Sequence, residues 1–300
     1  MAMKFRAHET FFIRKGWLSK GMRCVSQKPD VFVDKNENPM DVLGIGANMV
    51  KSLRYWLQAV GLTSEPSRGK RIQSFTKFGE LVFQHDPYTE EIGTLYLLQY
   101  KLVINEDMAP AWYYFFNEFN VHDFDKDDFL EQIQNYLKMK GINVALRSLA
   151  DDFTCIINTY VPKYKSTQPK DSPENNITCP LGELGLIDIL GKKGKTVLYR
   201  KAIPMAKSFN PWVVLAVILE QAQGKEEVGL NELLNGKRNI GKVFNIDSIC
   251  MLETLHEIER IGEIKIIRTA GLDVIRINNI HRTFEECVEN YYADIERTNL

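Results

Sequence analysis

Absences narrow this chain before any motif does. No apolar run approaches the ~18 residues that a membrane-spanning helix needs. The longest candidate, Trp212 to Leu219, reads as a core helix. The five cysteines, Cys24, Cys155, Cys179, Cys250 and Cys287, are odd in number, far apart and without a CxxC spacing. That pattern argues against a disulfide framework, a structural zinc and a persulfide relay. No GxxxxGK[ST] is present, so no nucleotide cofactor is expected. GIGANMVKS resembles a phosphate loop only superficially, since the third glycine and the preceding strand are missing. The opening MAMKFRAHETFF has neither a long apolar segment nor a small-residue cleavage site, so no secretory signal is expected and the cytoplasm is the expected compartment. Nor does one sign of charge dominate: 38 Lys and Arg stand against 39 Asp and Glu. Any nucleic-acid binding must therefore come from local patches.

What is present fits a globular protein of two or three domains: 300 residues, 44% apolar and 26% charged. The cations do cluster. Lys4, Arg6, Arg14, Lys15, Lys20 and Arg23 crowd the start, and Arg68, Lys70 and Arg71 form a second group. A third group runs from Lys192 to Lys207. Between the first two lies DVLGIGANMVKSLRYWLQAVGL, Asp41 to Leu62. The spacing predicts a sharp turn at Gly44-Ile45-Gly46 and a helix from about Ala47 to Val60, stopped by Gly61. At about 100° per residue, Met49, Val50, Leu53, Trp56, Leu57 and Val60 share one arc. Asn48, Lys51, Ser52, Arg54, Tyr55 and Gln58 share the other, which carries no carboxylate. An amide suits an adenine edge, and Lys or Arg suits guanine or phosphate. A recognition helix of a helix-turn-helix has this form; an ordinary surface helix with a basic side is the competing reading.

The flanking pattern extends the first reading. Trp17 to Ser26 reads as a helix, and Asp34 to Leu43 holds a short one with Pro39 in its first turn. After the central helix, GLTSEPSRGKRIQSFT places the turn cluster Pro66-Ser67-Arg68-Gly69 between two short extended segments. Three helices and a hairpin are the order of a winged helix, with Arg68, Lys70 and Arg71 on a cationic wing. Residues 76–160 read as a helical middle domain, because Trp112, Tyr113, Tyr114, Phe115, Phe116 and Phe119 surround one helix too completely for a base-stacking strip. Residues 161–178, with Pro162, Pro169 and Pro173, read as a linker. Residues 179–300 repeat the helix, helix, helix, hairpin order, after a basic hairpin at Gly191 to Gly194 and before a final helix. The third helix of this set is acidic at Glu253, Glu257 and Glu259, which fits protein contact or a structural role. The fold expected is mainly α with small β-hairpins: winged helix-turn-helix domains at 1–75 and 179–300 flanking the middle domain at 76–160.

Five blocks in register carry a resemblance over nearly the whole chain: HETFFIRKGWLSKG, LGIGANMVKSLRYWLQAVGL, GELVFQHDPYTEEIGTLYLLQYKL, AWYYFFNEF and CPLGELGLI. Together they are similar to an uncharacterised bacterial family whose genes accompany DNA phosphorothioation and related phage-defence genes. The functional relative this implies is the SspB-like component of single-strand phosphorothioation systems, held to be a DNA nickase. Its partners there are a cysteine desulfurase, an ATPase and a sulfur-transferring ATP pyrophosphatase. One departure is Ala47, where family members usually carry a basic residue. The resemblance implies DNA and those partner proteins and supplies no catalytic motif; the lack of a long apolar run implies no membrane, and a homodimer stays open.

A nickase must activate water or a hydroxyl and place cations on a phosphate, often with Mg²⁺ or Mn²⁺ held by carboxylates. His8-Glu9, beside Arg6 and Arg14, is the first candidate. His85-Asp86 with Glu90 and Glu91, and His122-Asp123 with Asp125, Asp127 and Asp128, are the others. None has the spacing of a known nuclease motif. The acid run at 123–128 also reads as a helix start, Asp86-Pro87 as a turn, and His8-Glu9-Thr10 as a polar corner. Tyr55 could attack in a covalent mechanism or contact a sugar. The expected catalytic set is His8, Glu9 and Arg14, with Asn48, Lys51, Ser52, Arg54, Tyr55, Arg68, Lys70 and Arg71 on DNA. A non-catalytic DNA-binding adaptor, and a transcription regulator with an effector pocket in the aromatic middle, are the alternatives.

Overall fold

A computed structural model describes residues 3–162, 178–269 and 272–298. Most of the expected linker, including Lys163, Lys165 and Lys170, and the Ala270-Gly271 turn lie outside the described residues. Helix α1 (Trp17–Gln27) turns Trp17, Leu18, Met22 and Val25 inward. Helix α2 (Pro39–Leu43) starts with Pro39 in its first turn and the Asn38 side chain accepting from Met40 N. Helix α3 (Ala47–Ala59) buries Val50, Leu53, Trp56 and Leu57, and the chain leaves it through Gly61 at φ 76°. Strands β1 (Thr63–Ser64) and β2 (Ser74–Phe75) then pair antiparallel, Thr63 opposite Phe75.

Five helices follow: α4 (Lys77–His85), α5 (Ile92–Val103), α6 (Pro110–Asn117), α7 (Lys126–Met139) and α8 (Leu146–Tyr160). Helices α5 and α6 are apolar all round and accordingly sit inside. The acid run splits in two. Asp123 belongs to a short strand, β3 (Asp123–Phe124), while Asp125 caps α7 in a reciprocal capping box with Asp128. Beyond a helical turn at Pro180–Leu184, β4 (Ile187–Lys193) and β5 (Thr196–Lys201) form the basic hairpin. The all-helical expectation for 76–160 needs one amendment: β3 joins that hairpin, giving an antiparallel sheet in the order β3-β5-β4.

The remainder runs α9 (Pro211–Ala222), β6 (Glu227–Gly229), α10 (Leu230–Asn235), α11 (Ile240–Val243), α12 (Ser248–Arg260), β7 (Ile264–Thr269), β8 (Leu272–Ile277) and α13 (Phe284–Thr298). Strand β6 and the single turn of α11 are additions to the expected order. Strand β6 pairs with β8 to make a second three-stranded antiparallel sheet, β6-β8-β7. Helix α13 packs on α9 and reaches back to α4. There Gly93 N donates to Tyr291 Oη at 2.9 Å, and a Cβ on Gly93 would meet that ring at 2.2 Å. One continuous apolar cluster includes Trp56, Phe115, Val214 and Tyr291, so every segment contributes to the same core. The fold is mainly helical with small antiparallel sheets. Among the described residues no helix is long and apolar enough to cross a membrane.

Candidate nucleic-acid interface

Helix α3 presents its N-terminus without a competing anion. Gly46 supplies no side-chain cap and the first turn holds no acidic residue, so its first N–H groups are available to an external acceptor. Beside the helix runs an open groove of about 440 Å³, between α3, the hairpin and the N-terminal coil. Lys4, Lys51, Arg54 and Arg71 line it, and Glu65 is its one acidic residue. Lys51 and Arg71 are exposed and form no ion pair among the described residues. Asn48, Arg68 and Lys70 are exposed as well, but outside the groove.

Two residues expected on the exposed arc are buried instead. Ser52 is 0% exposed and Tyr55 6%. Ser52 Oγ donates to the Phe11 carbonyl at 3.4 Å, and Trp56 Nε1 donates to the same oxygen at 2.9 Å. Tyr55 Oη donates to the Met108 carbonyl at 3.0 Å. The N-terminal coil and the loop before α6 thus cover flanks of α3 that its own periodicity left open. Burial pushes the Tyr55 hydroxyl well above its ordinary range, so it is a poor attacking group. Arg54 is also engaged within the protein. Its guanidinium meets Glu65 in a bidentate pair at 2.6 and 2.9 Å and donates to Arg71 O at 3.3 Å. Gln58 and Gln73 donate to the same carboxylate at 3.1 and 3.3 Å. Glu65 therefore fastens the hairpin to α3. Lys70 pairs with Asp30 at 3.0 Å and holds the loop after β1. The cations left for phosphate are Lys51, Arg68 and Arg71, while Lys4 Nζ donates to Met108 Sδ at 2.9 Å.

The His8-Glu9-Thr10 corner sits next to the groove, whose wall includes Ala7. His8 is 1% exposed, with its ring within 6.1 Å of Trp56 and 5.6 Å of Trp112. His8 Nε2 bonds Asp152 Oδ1 at 2.7 Å, and Arg6 N donates to the same oxygen at 2.9 Å. Burial raises the Asp152 carboxyl, and His8 opposes that shift. Enclosed in this way, His8 anchors the coil to α8 and does not reach solvent. Its neighbours differ. Glu9 is partly exposed, and Arg6, Glu9 and Thr10 take φ values of 57°, 50° and 67°, three left-handed non-glycine residues within five positions. Such strain persists only where the surroundings enforce it. Arg14 lies over Phe11 and Trp17, 5.5 and 5.3 Å from the ring centroids. None of His8, Glu9 and Arg14 is among the residues that line the groove itself.

The other carboxylate candidates have structural partners. Asp86 accepts from Glu90 N and Glu91 N at 3.0 and 3.1 Å and closes the turn before α5. Asp123 receives Arg200 through two bonds of 2.7 Å. Among the described residues no group of three or more His, Cys, Asp or Glu side chains could hold a metal ion. The described residues thus gather no cluster for a protein-only Mg²⁺ or Mn²⁺ site.

The DUF4007 family model, described as a protein of unknown function, matches residues 5–292. No curated protein matches. Two solved structures share the fold. A magnesium ion-bound SspB crystal structure gives a TM-score of 0.80 at 24% identity over 98% of this chain and 96% of that one. A second SspB crystal structure gives 0.81 at 25% identity over 99% and 88%.

Proposed function

The chain belongs to the DUF4007 family with an SspB-like fold, and we propose that it is the DNA-binding component of a bacterial DNA phosphorothioation and phage-defence system, nicking one strand of duplex DNA. The observation that carries this is the groove beside α3, where Lys51 and Arg71 form no ion pair among the described residues and the helix N-terminus carries no acid in its first turn. In this reading residues 17–75 act as a winged helix-turn-helix. Helix α3 lies against the duplex, Asn48 meets a base edge, and Arg68 on the loop between β1 and β2 tracks the backbone. Residues 211–277 form a second winged helix, and the helices between them are the scaffold. The ATPase and the sulfur-transferring ATP pyrophosphatase of such a system are the expected partners.

For the chemistry, the strained corner beside the groove is the favoured place. Glu9 is the candidate to take a proton from water, Arg14 to offset charge on the phosphate, and His8 to position the corner through Asp152. The test uses supercoiled plasmid with Mg²⁺, Mn²⁺ or EDTA. Glu9→Gln is expected to abolish open-circle formation and leave duplex affinity nearly unchanged. Retardation of the plasmid by the parent protein with no nicking under any condition would establish the adaptor, which the lack of a carboxylate cluster among the described residues also favours. The absence of both retardation and nicking would overturn the DNA reading itself.

A further inference from the structure

A second cavity, of about 340 Å³, lies away from α3, where β5 and the end of α6 meet α11 and the start of α12. Its polar wall is built around two lysines. Lys201, the last residue of β5, donates through Nζ to Phe115 O at 2.6 Å and Phe119 O at 2.5 Å. Those carbonyls belong to the C-terminal end of α6, so the ammonium caps that helix. Capping neutralises no charge, and it uses two of three donors. Lys242 on α11 donates to Asn120 Oδ1 at 2.6 Å. Neither lysine forms an ion pair among the described residues. Burial, and then the neighbouring Lys242, pull Lys201 down to about 7.

The other charged groups at the cavity do not repair this. His122 is bound to Asp123, whose carboxylate is taken by Arg200. Asp247, the cap of α12, accepts from Cys250 N and keeps its charge, one carboxylate beside the two lysines. Glu118, the acid that acts on Lys242, is paired with Lys237 at 2.7 Å. The lining also includes the apolar Phe116, Phe119, Ile203 and Ile246. Once an anion holds the proton on Lys201, two ammonium groups stand against the single Asp247 carboxylate of the lining and favour an acceptor that carries more than one charge. A phosphate monoester supplies about −1.5 to −2 at neutral pH, where a single carboxylate supplies half of that. The volume falls in the range of small-ligand sites, which run from roughly 300 Å³.

We propose that this cavity binds a phosphate monoester, its phosphate between Lys201 and Lys242 and its organic part against Phe116 and Phe119. Free mononucleotides and the phosphorylated 5′ end of a DNA strand share that chemistry. Calorimetric titration of the full chain with AMP, with a 5′-phosphorylated tetranucleotide and with its 5′-hydroxyl counterpart separates them. Saturable binding of AMP identifies a free ester; binding of the phosphorylated strand alone identifies a DNA end; both support the site. Lys242→Ala, which lies at the cavity rim, should weaken binding about tenfold or more, as expected for one charge-assisted bond. Lys242→Arg should restore most of it. Lys138→Ala, on the exposed face of α7, should leave binding unchanged. At pH 8.5 the parent should take up a proton on binding, read as a heat that varies with buffer ionisation enthalpy, and Lys201→Met should abolish that uptake. If Lys201→Met does not fold, the Lys242 pair decides alone. No binding of any probe at millimolar concentration, or equal binding by parent and Lys242→Ala, overturns the proposal.

Discussion

Residues 17–75 and residues 211–277 present helices and a closing hairpin in the same order, yet their outward faces oppose each other in character. On α3 the exposed residues include Asn48 and Lys51, and no acid stands in the first turn. On α12 the start is capped by Asp247, Ile249 is 68% exposed, and Glu253 and Glu257 face solvent. The hairpins differ in the opposite sense. Strands β1 and β2 have two residues each and rely on the Glu65 cluster, whereas β7 and β8 have six each and gain β6 as a third strand. Order of elements therefore does not assign a ligand. What separates the two regions is Lys51, unpaired among the described residues, on one helix and the exposed Glu253 and Glu257 on the other, and each region can be perturbed without the other.

The largest expected difference between the two regions concerns anchoring. The coil that leads into the first region is tied to α8 by His8 and Asp152, both 1% exposed, whereas the buried Thr254 of α12 bonds its own helix at Cys250 O. Asp152→Ala strands the imidazole and the Arg6 N–H, and should cost about 3 kcal/mol, as breaking a buried pair does. Thr254→Ala should cost about 1 kcal/mol. Urea denaturation of both variants measures this, and equal losses would show that His8 and Asp152 hold nothing that Thr254 does not.

Next in size is DNA affinity. Lys51→Ala and Arg71→Ala should each weaken duplex binding roughly fivefold to tenfold and flatten the salt dependence by about 0.9 per lost phosphate contact. Glu253→Gln and Glu257→Gln on α12 should leave both unchanged. Fluorescence anisotropy at several salt concentrations compares them, and an equal response on both helices removes the asymmetry. A smaller effect of opposite sign is expected from Glu65→Gln. Losing that charge releases Arg54 towards the groove, so affinity should rise a few fold while thermal stability falls. A drop in affinity would mean that the hairpin's position matters more than its charge.

How far these features can be read from sequence depends on how far apart the interacting residues lie. The bounds of α3 follow from its own period and from Gly61, all within one segment. The burial of Ser52 and Tyr55 does not, because their covers, Phe11 and Met108, are 41 and 53 residues away. His8 reads as part of a polar triplet for the same reason: Asp152 is 144 residues on. The pairing of Arg54 is more local and was within reach of the sequence, since Glu65 stands only 11 residues later and no other acid follows α3 before Glu80. Strand β3 has two residues, too few for any alternation, and exists only because β5 offers it a partner. Lys201 reads as one more cation of a basic hairpin. Its position against the α6 carbonyls comes from tertiary packing alone.

The smallest effect tests a likeness between the regions. In each three-stranded sheet an exposed arginine–carboxylate pair clips the short edge strand to the middle one: Arg200 with Asp123 on β5 and β3, Arg276 with Glu227 on β8 and β6. Exposed pairs contribute little, so Asp123→Asn and Glu227→Gln should both shift stability only slightly at neutral pH. Asp123 adds a sign that can be checked. The Arg200 guanidinium, helped by His122, holds its carboxyl at about 2, below the ordinary 3.8. A carboxyl lowered in the folded state contributes stability that is fully present above 3.8 and disappears as pH falls towards 2. The stability gap between the parent and Asp123→Asn should therefore be constant from pH 7 to about 5 and close between about 4 and 2. Circular dichroism melts across that range follow it. A gap that persists unchanged at pH 2 would mean that the side chain's shape, and not its charge, fastens β3 to the sheet.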